Sequence, residues 1–267
     1  MSADPSGANR TGRPAAGPAP LRVTIWNEFV HERRDPTPRE LHPDGMHAEI
    51  AAAIRDHLGN GVTIGYATLG QPEHGLTEEV LRSTDVLTWW GHCAHDVVDD
   101  KVVDRVAEQV LAGMGLLVLH SAHYSKIFRR LMGTTCSLRW RNTDDREAVW
   151  TVDPGHPICD GVPSPIVIPR HEMYGEYFDI PKPDDLVFIS SFTGGEVFRS
   201  GCCFQRGKGR IFYFSPGDQD YPIYSHADVR RVIANAVRWC APGSAVRETP
   251  GPAQVDTGWY LRGGETE

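Results

Sequence analysis

Two short segments of this chain end in the same arrangement: Trp89-Trp90-Gly91-His92-Cys93-Ala94-His95 and Leu117-Val118-Leu119-His120-Ser121-Ala122-His123. Each is an apolar run followed by a pair of histidines. Imidazole is the commonest protein ligand for zinc and similar ions, and a general acid or base near neutral pH. With 12 histidines in 267 residues, one such pair would carry little weight. Two pairs, both directly after apolar runs, make His92, His95, His120 and His123 candidate ligands of a divalent ion, zinc or manganese. Carboxylates complete such sites or move protons for them. The densest polar and aromatic stretch, His171-Glu172-Met173-Tyr174-Gly175-Glu176-Tyr177-Phe178-Asp179, offers His171, Glu172 and Glu176 as candidate catalytic groups. A helical turn there would stack the two glutamates on one side, whereas a loop would leave them to water.

Aromatic faces beside carboxylates suit a sugar, whose apolar C–H face stacks on a ring while its hydroxyls find polar partners. Trp90 and Tyr174 are the candidates for that contact, with Arg199 and Asp218 as polar partners, while Trp89 and Phe178 read as core. Arg199 either reaches the site or lies on an ordinary strand face. Ser121 sits where a nucleophile elbow would place a serine, but the G-x-S-x-G pattern is missing.

These groups need elements to position them. A short apolar run bounded by Gly or polar residues reads as a buried parallel strand, so each histidine pair falls where a strand ends and its crossover begins. In open α/β sheets that carboxyl edge is where ligands bind. Strands are expected at 21–26, 62–66, 85–90 and 116–119. Helices are expected from Pro43 to Gly59, where Met46, Ile50, Ile54 and Leu58 recur every four residues, at 77–82, and at 100–112. This alternation implies a parallel sheet with right-handed crossovers. The polar segment from Asn27 to His42, broken by Pro36 and Pro38, is a long connection of the kind that often carries function.

The second half changes character. Residues 137–141 and 147–152 read as two strands about the turn Asn142-Thr143-Asp144-Asp145. Prolines 163, 165 and 169 exclude a helix, and strands follow at 186–192, 196–204 and 210–214 before a helix at 227–239. Residues 1–20 read as a disordered tail, 21–242 as one domain, and 243–267 as a second tail in which Trp259-Tyr260-Leu261 could dock on a partner.

A formal net charge of -8 without clustered basic residues excludes a general nucleic-acid binder. No apolar stretch reaches membrane-spanning length and residues 1–20 lack a signal-peptide core, so a cytoplasmic protein is expected. Six cysteines without C-x-x-C spacing, mostly in apolar segments, are expected to be reduced.

In this order, Trp89-Trp90-Gly91-His92, Leu119-His120-Ser121-Ala122-His123, His171-Glu172-Met173-Tyr174-Gly175-Glu176, Gly195-Glu196-Val197-Phe198-Arg199-Ser200-Gly201-Cys202 and Phe212-Tyr213-Phe214 resemble the trehalose-utilisation (ThuA-like) family over residues 21–242. The resemblance implies an α/β, flavodoxin-like three-layer sandwich with a mainly parallel central sheet, related to class I glutamine amidotransferases but without their cysteine. It also implies a role in disaccharide or glycoside catabolism beside oxidoreductases that make 3-keto sugars. Where relatives usually read Pro-Gly-His-Glu, this chain has Pro216-Gly217-Asp218-Gln219, replacing a histidine and a carboxylate by a carboxylate and an amide.

Two functions are therefore expected to compete. One is metal-assisted cleavage or isomerisation of a trehalose-type disaccharide or keto-glycoside, with no nucleotide cofactor. The other is a non-catalytic sugar-binding or accessory subunit of a sugar oxidoreductase. Size and family point to a homodimer.

Overall fold

The computed structural model describes residues 19–243, so most of the expected N-terminal tail, the C-terminal tail and Trp259-Tyr260-Leu261 lie outside the described residues. Strands β1 (Leu21–Asn27), β2 (Val62–Thr68), β3 (Val86–Trp90) and β4 (Gly115–Leu119) form where the apolar runs predict them. The crossovers carry helices α1 (His31–Arg34), α2 (Pro36–Leu41), α3 (Met46–Leu58), α4 (Glu78–Arg82) and α5 (Asp100–Ala112). The long connection after β1 is thus not irregular. It folds into α1 and α2, the second opened by Pro36 at a position where a missing N–H costs nothing.

Helix α6 (Lys126–Met132) follows β4, with Ser125 as its cap, and four long strands come next. These are β5 (Arg139–Thr151), β6 (Ile166–Gly175), β7 (Asp185–Phe192) and β8 (Val197–Arg206); then come β9 (Gly209–Phe214) and α7 (Ala227–Cys240). The strand order is β2-β1-β3-β4-β9-β8-β7-β5-β6. The first five are parallel to one another, in a flavodoxin-type order, and the last four join through antiparallel pairs.

The sheet is therefore mixed, which corrects the expectation of a mainly parallel one. The reason lies in the connections. β8 and β9 are separated only by Gly207 and Lys208, too few residues for a crossover, so the chain must turn back on itself. Gly207 makes that turn at φ +57°, where an added Cβ would press into the backbone of Leu111. The two strands expected at 137–141 and 147–152 are one long strand, β5, bent by register shifts on either side of Asp145. Arg141 holds the bend by bonding Asp145 and Thr143 on its own strand and Glu196 before β8.

Apolar side chains cover both faces of the sheet. Val23 and Ile25 pack with Met46, Ile50 and Ile54 of α3 and Val229, Ile233 and Val237 of α7. Trp26 and Leu87 pack on the opposite face with Val103 and Val106 of α5 and Phe128 of α6. Trp26 and Trp89 stack there with ring centroids 4.1 Å apart. No helix among the described residues is long and apolar enough to cross a membrane.

Candidate active site

The parallel order β1-β3-β4-β9 brings four strand ends to one edge of the sheet. Glu28 follows β1, His92 follows β3, His120 follows β4 and Asp218 follows β9. β6 adds Glu172 and Tyr174, two residues apart in a strand and so on one face of it. The cavity between them has a volume of about 510 Å³ and is lined by His92, His95, Ser121, His123, Tyr124, Ser137, Leu138, Trp140, Asn142, Glu172, Tyr174 and Asp218.

His120 is the centre of this arrangement. It is fully buried and turns the chain from β4 into the next helical turn at φ +50°, a strained conformation for a residue with a side chain. Its Nδ1 lies 2.7 Å from the carbonyl of Ser215, so that nitrogen carries a proton and donates it. Nε2 faces Glu172 Oε2 at 3.1 Å, Asp218 Oδ2 at 3.4 Å and the hydroxyl of Tyr174 at 3.2 Å. The Tyr174 ring stacks on the imidazole at 4.7 Å and nearly parallel. Burial alone would lower the pKa of His120, but the Asp218 and Glu172 carboxylates raise it to about 10. Burial would likewise raise Asp218, yet His120 holds it at about 2.

Neither Glu172 Oε2 nor Asp218 Oδ2 has a well-directed hydrogen bond, although both are buried. Two carboxylate oxygens converge on one imidazole nitrogen, all within 4.8 Å of one another, a donor set that could hold a cation. One nitrogen and two oxygens suit zinc or manganese, and three protein ligands leave positions open toward the cavity.

The other three histidines expected as ligands do not join this set. His92 Nδ1 lies 2.8 Å from His31 Nε2. His123 donates from Nδ1 to the Cys136 carbonyl at 2.7 Å, and burial lowers its pKa to about 3. His95 lines the cavity beside Tyr124, and burial lowers its pKa to about 4.

His171 and Glu172 are neighbours in a strand, so their side chains point to opposite faces. His171 Nε2 accepts the N–H groups of Gly217 and Asp218 at 3.1 and 3.3 Å, while Nδ1 lies 2.7 Å from Glu147 Oε2. It holds the loop that carries Asp218 rather than entering the cavity. Glu176 is not stacked with Glu172 by a helical turn. It lies beyond β6 and pairs with Arg199 at 2.8 and 2.9 Å, and Arg199 also bonds the Phe178 carbonyl; neither residue lines the cavity.

Trp90 is fully buried, because β3 is covered on both faces, and its indole N–H donates to the Gly217 carbonyl at 2.9 Å. It supports the Asp218 loop and offers no surface to a sugar. Gly217 is required where the loop passes His120: an added Cβ would collide with the Tyr224 hydroxyl and lie 3.1 Å from His120 Cβ. Ser121 donates to the Gly91 carbonyl at 2.8 Å, joining the two histidine loops.

Several residues of this site were not legible as such. Glu28 accepts the N–H groups of His92, Cys93 and Ala94 and the Cys93 thiol, at 2.8 to 3.0 Å. Burial would raise its pKa, but these four donors hold it below the ordinary value. Burial and Glu28 in turn push the Cys93 thiol to about 12. Glu28 follows a strand at the same edge as the histidines, a signal available from the sequence. The aromatic rings that face the cavity with exposed surface are Trp140 and Tyr124, 66% and 42% exposed. Trp140 sits opposite Tyr174 in the β5–β6 register, which no sequence periodicity announced.

This combination defines an α/β protein with a nine-stranded mixed sheet and a histidine and two acids at the edge of its parallel half. The chain belongs to the ThuA family, described as trehalose utilisation, whose model matches residues 22–240. A ThuA-like protein from Bacteroides uniformis superposes with a TM-score of 0.62 at 16% identity, covering 86% of this chain and 95% of that one. One from Parabacteroides merdae gives 0.60 at 14%, covering 86% and 93%. PurLQS from Thermotoga maritima gives 0.51 at 11%, covering 82% and 99%. Comparison with curated proteins gives no match.

Proposed function

We propose that the cavity binds a disaccharide or keto-glycoside and that His120, Glu172 and Asp218 hold a divalent ion, zinc or manganese, at its wall. The observation that carries this reading is the convergence of two buried carboxylate oxygens on His120 Nε2, at 3.1 and 3.4 Å. A bound divalent ion would polarise a substrate carbonyl or activate water, and so assist cleavage or isomerisation of a keto-sugar.

The surrounding residues have separate tasks. Ser215 fixes the tautomer of His120 through its carbonyl, and Tyr174 fixes the ring plane. Trp140 and Tyr124 offer apolar faces to a sugar ring at the mouth, while Asn142 and Ser137 offer hydrogen bonds to hydroxyls. Family membership in trehalose utilisation supports a carbohydrate as the ligand.

Metal analysis of tag-free protein tests the reading, with Glu172→Gln and Asp218→Asn as comparison. About one equivalent of zinc or manganese is expected in the wild type. Each variant should weaken affinity by about 100-fold or more, since each removes one of three protein ligands. Wild-type protein that takes up neither ion from solution would leave the three groups as an ion-pair cluster. It would then favour the accessory-subunit reading, in which sugar binds without turnover.

A further inference from the structure

Glu172 and Asp218 cannot hold a cation and also exchange protons freely with substrate, so the site above needs another acid or base. We propose that His92 is that group, and that His31 and Asp35 connect it to solvent as a proton relay. The inference rests on the keto-sugar reading of the cavity and names the residues that move its protons.

The hydrogen bonds fix the direction of the relay. Asp35 is half-exposed, its side chain 51% accessible, and its Oδ2 lies 2.7 Å from His31 Nδ1. As a carboxylate it accepts only, so His31 carries a proton on Nδ1 and, as a neutral imidazole, presents a bare Nε2. That nitrogen lies 2.8 Å from His92 Nδ1, so His92 must donate from Nδ1, leaving its own Nε2 unprotonated. His92 lines the cavity. A base with a free lone pair therefore stands at the cavity wall, with its second nitrogen wired outward.

The backbone holds His92 for this task. Glu28 binds the N–H groups of residues 92 to 94, and its carboxylate is saturated by four donors, which leaves it no part in proton transfer. The charges around His92 are His31 on its outer side, His120, Glu172 and Asp218 within the site, and His95, Asp220 and Glu28 nearby. Burial lowers its pKa below the ordinary value, which favours the neutral base. The long polar connection after β1 thereby gains a purpose, since α1 begins at His31 and Asp35 ends it.

The step balances as follows. His92 Nε2 takes the proton from the carbon next to the keto group; the C–H electron pair forms a C=C bond to the carbonyl carbon, and the carbonyl π pair moves onto oxygen. The Nδ1 proton of His92 passes to His31 Nε2, the Nδ1 proton of His31 passes to Asp35, and Asp35 releases it to water. The reverse sequence returns a proton to carbon. No oxidant or reductant is consumed.

The test uses the metal-loaded full chain and a 3-keto disaccharide. Proton NMR in deuterated buffer follows exchange of the C–H next to the keto group, and ¹⁵N NMR of histidine-labelled protein reads the His92 tautomer without substrate. The wild type should hold His92 in the Nδ1–H form and exchange at a rate independent of buffer concentration. His92→Gln should slow exchange by about 100-fold or more. His31→Asn and Asp35→Asn lie nearer the surface and should slow it about 10-fold, with added imidazole buffer restoring the rate, which a merely structural role would not allow.

An Nε2–H tautomer at His92, exchange at the wild-type rate in His92→Gln, or no response of His31→Asn to buffer would each overturn the relay alone. A wild-type protein that carries metal and the expected tautomer but exchanges no proton of the keto-sugar would overturn the substrate reading, and the relay's catalytic role with it.

Discussion

The two halves of the sheet supply different things. The parallel half, β2-β1-β3-β4-β9, delivers His120, Asp218, His92 and Glu28 from strand ends, where each strand stops and its backbone is free to turn. The antiparallel half, β8-β7-β5-β6, delivers Glu172, Tyr174 and Trp140 from within strands, where alternation decides which face a side chain takes. The site exists only where the halves meet. The residues proposed to hold a cation come from both, and so do the contacts that hold the site, so variants that separate the halves should matter more than those within either one.

The largest expected effect is at His171. This buried residue of β6 joins Glu147 of β5 to the Gly217 and Asp218 amides of the parallel half, and Ser190 donates to Glu147 at 2.5 Å. His171→Ala would leave a fully buried carboxylate without its partner, a loss of about 3–5 kcal/mol. It would also free the Asp218 loop. Chemical denaturation should register the loss, and metal affinity should fall with it although His171 is not a ligand. Unchanged metal affinity in a folded His171→Ala protein would show that the halves are not coupled through this residue.

A second effect, about 2 kcal/mol between pH 6.5 and 5, sharpens the contrast within the parallel half. His120 and His123 share one turn, yet the first has its pKa raised to about 10 by two carboxylates and the second lowered to about 3 by burial. His123 in the unfolded chain gains a proton near pH 6.5, and in the folded protein only near 3. Its contribution is therefore fully present above 6.5 and is lost as pH falls from there. His123→Phe removes that linkage. The variant forfeits the bond to the Cys136 carbonyl, so it should be less stable at pH 8 and its stability should fall less steeply toward pH 5. Parallel slopes for the two proteins in denaturant titrations at several pH values would refute the assignment.

Legibility in the sequence follows the same division. β3 and β4 are buried on both faces, so they appear as continuous apolar runs, and the residue after each run is at the sheet edge by construction. His92, His120 and Asp218 could be picked out on that rule, and Glu28 obeys it equally. β5 and β6 defeat it. The bend at Asp145 breaks the alternation of β5 and makes one strand look like two, and β6 carries Pro169 and polar residues that disguise it as a loop. Without β6 as a strand, His171 and Glu172 read as one catalytic pair instead of two side chains on opposite faces. Trp90 departs from its sequence expectation for a further reason: a tryptophan beside a histidine in sequence is buried once the strand is covered on both sides.

The smallest effect separates two tryptophans of the same strand. Trp140 and Trp150 are both exposed on β5, at 66% and 47%, but Trp140 lines the cavity while Trp150 bonds Ser191 on β7 and does not. If the antiparallel half contributes a stacking surface as well as Glu172, Trp140→Ala should weaken disaccharide binding by about 1 kcal/mol, or roughly fivefold in Kd. Neither side chain is part of the core, so folding stability should change little for Trp140→Ala. Trp150→Ala should leave sugar affinity unchanged. Quenching of tryptophan fluorescence by added disaccharide reads both: the signal should persist in Trp150→Ala and disappear in Trp140→Ala. Equal losses in the two variants would mean that the sugar does not reach β5 at the cavity mouth, and that the antiparallel half serves the site through Glu172 and Tyr174 alone.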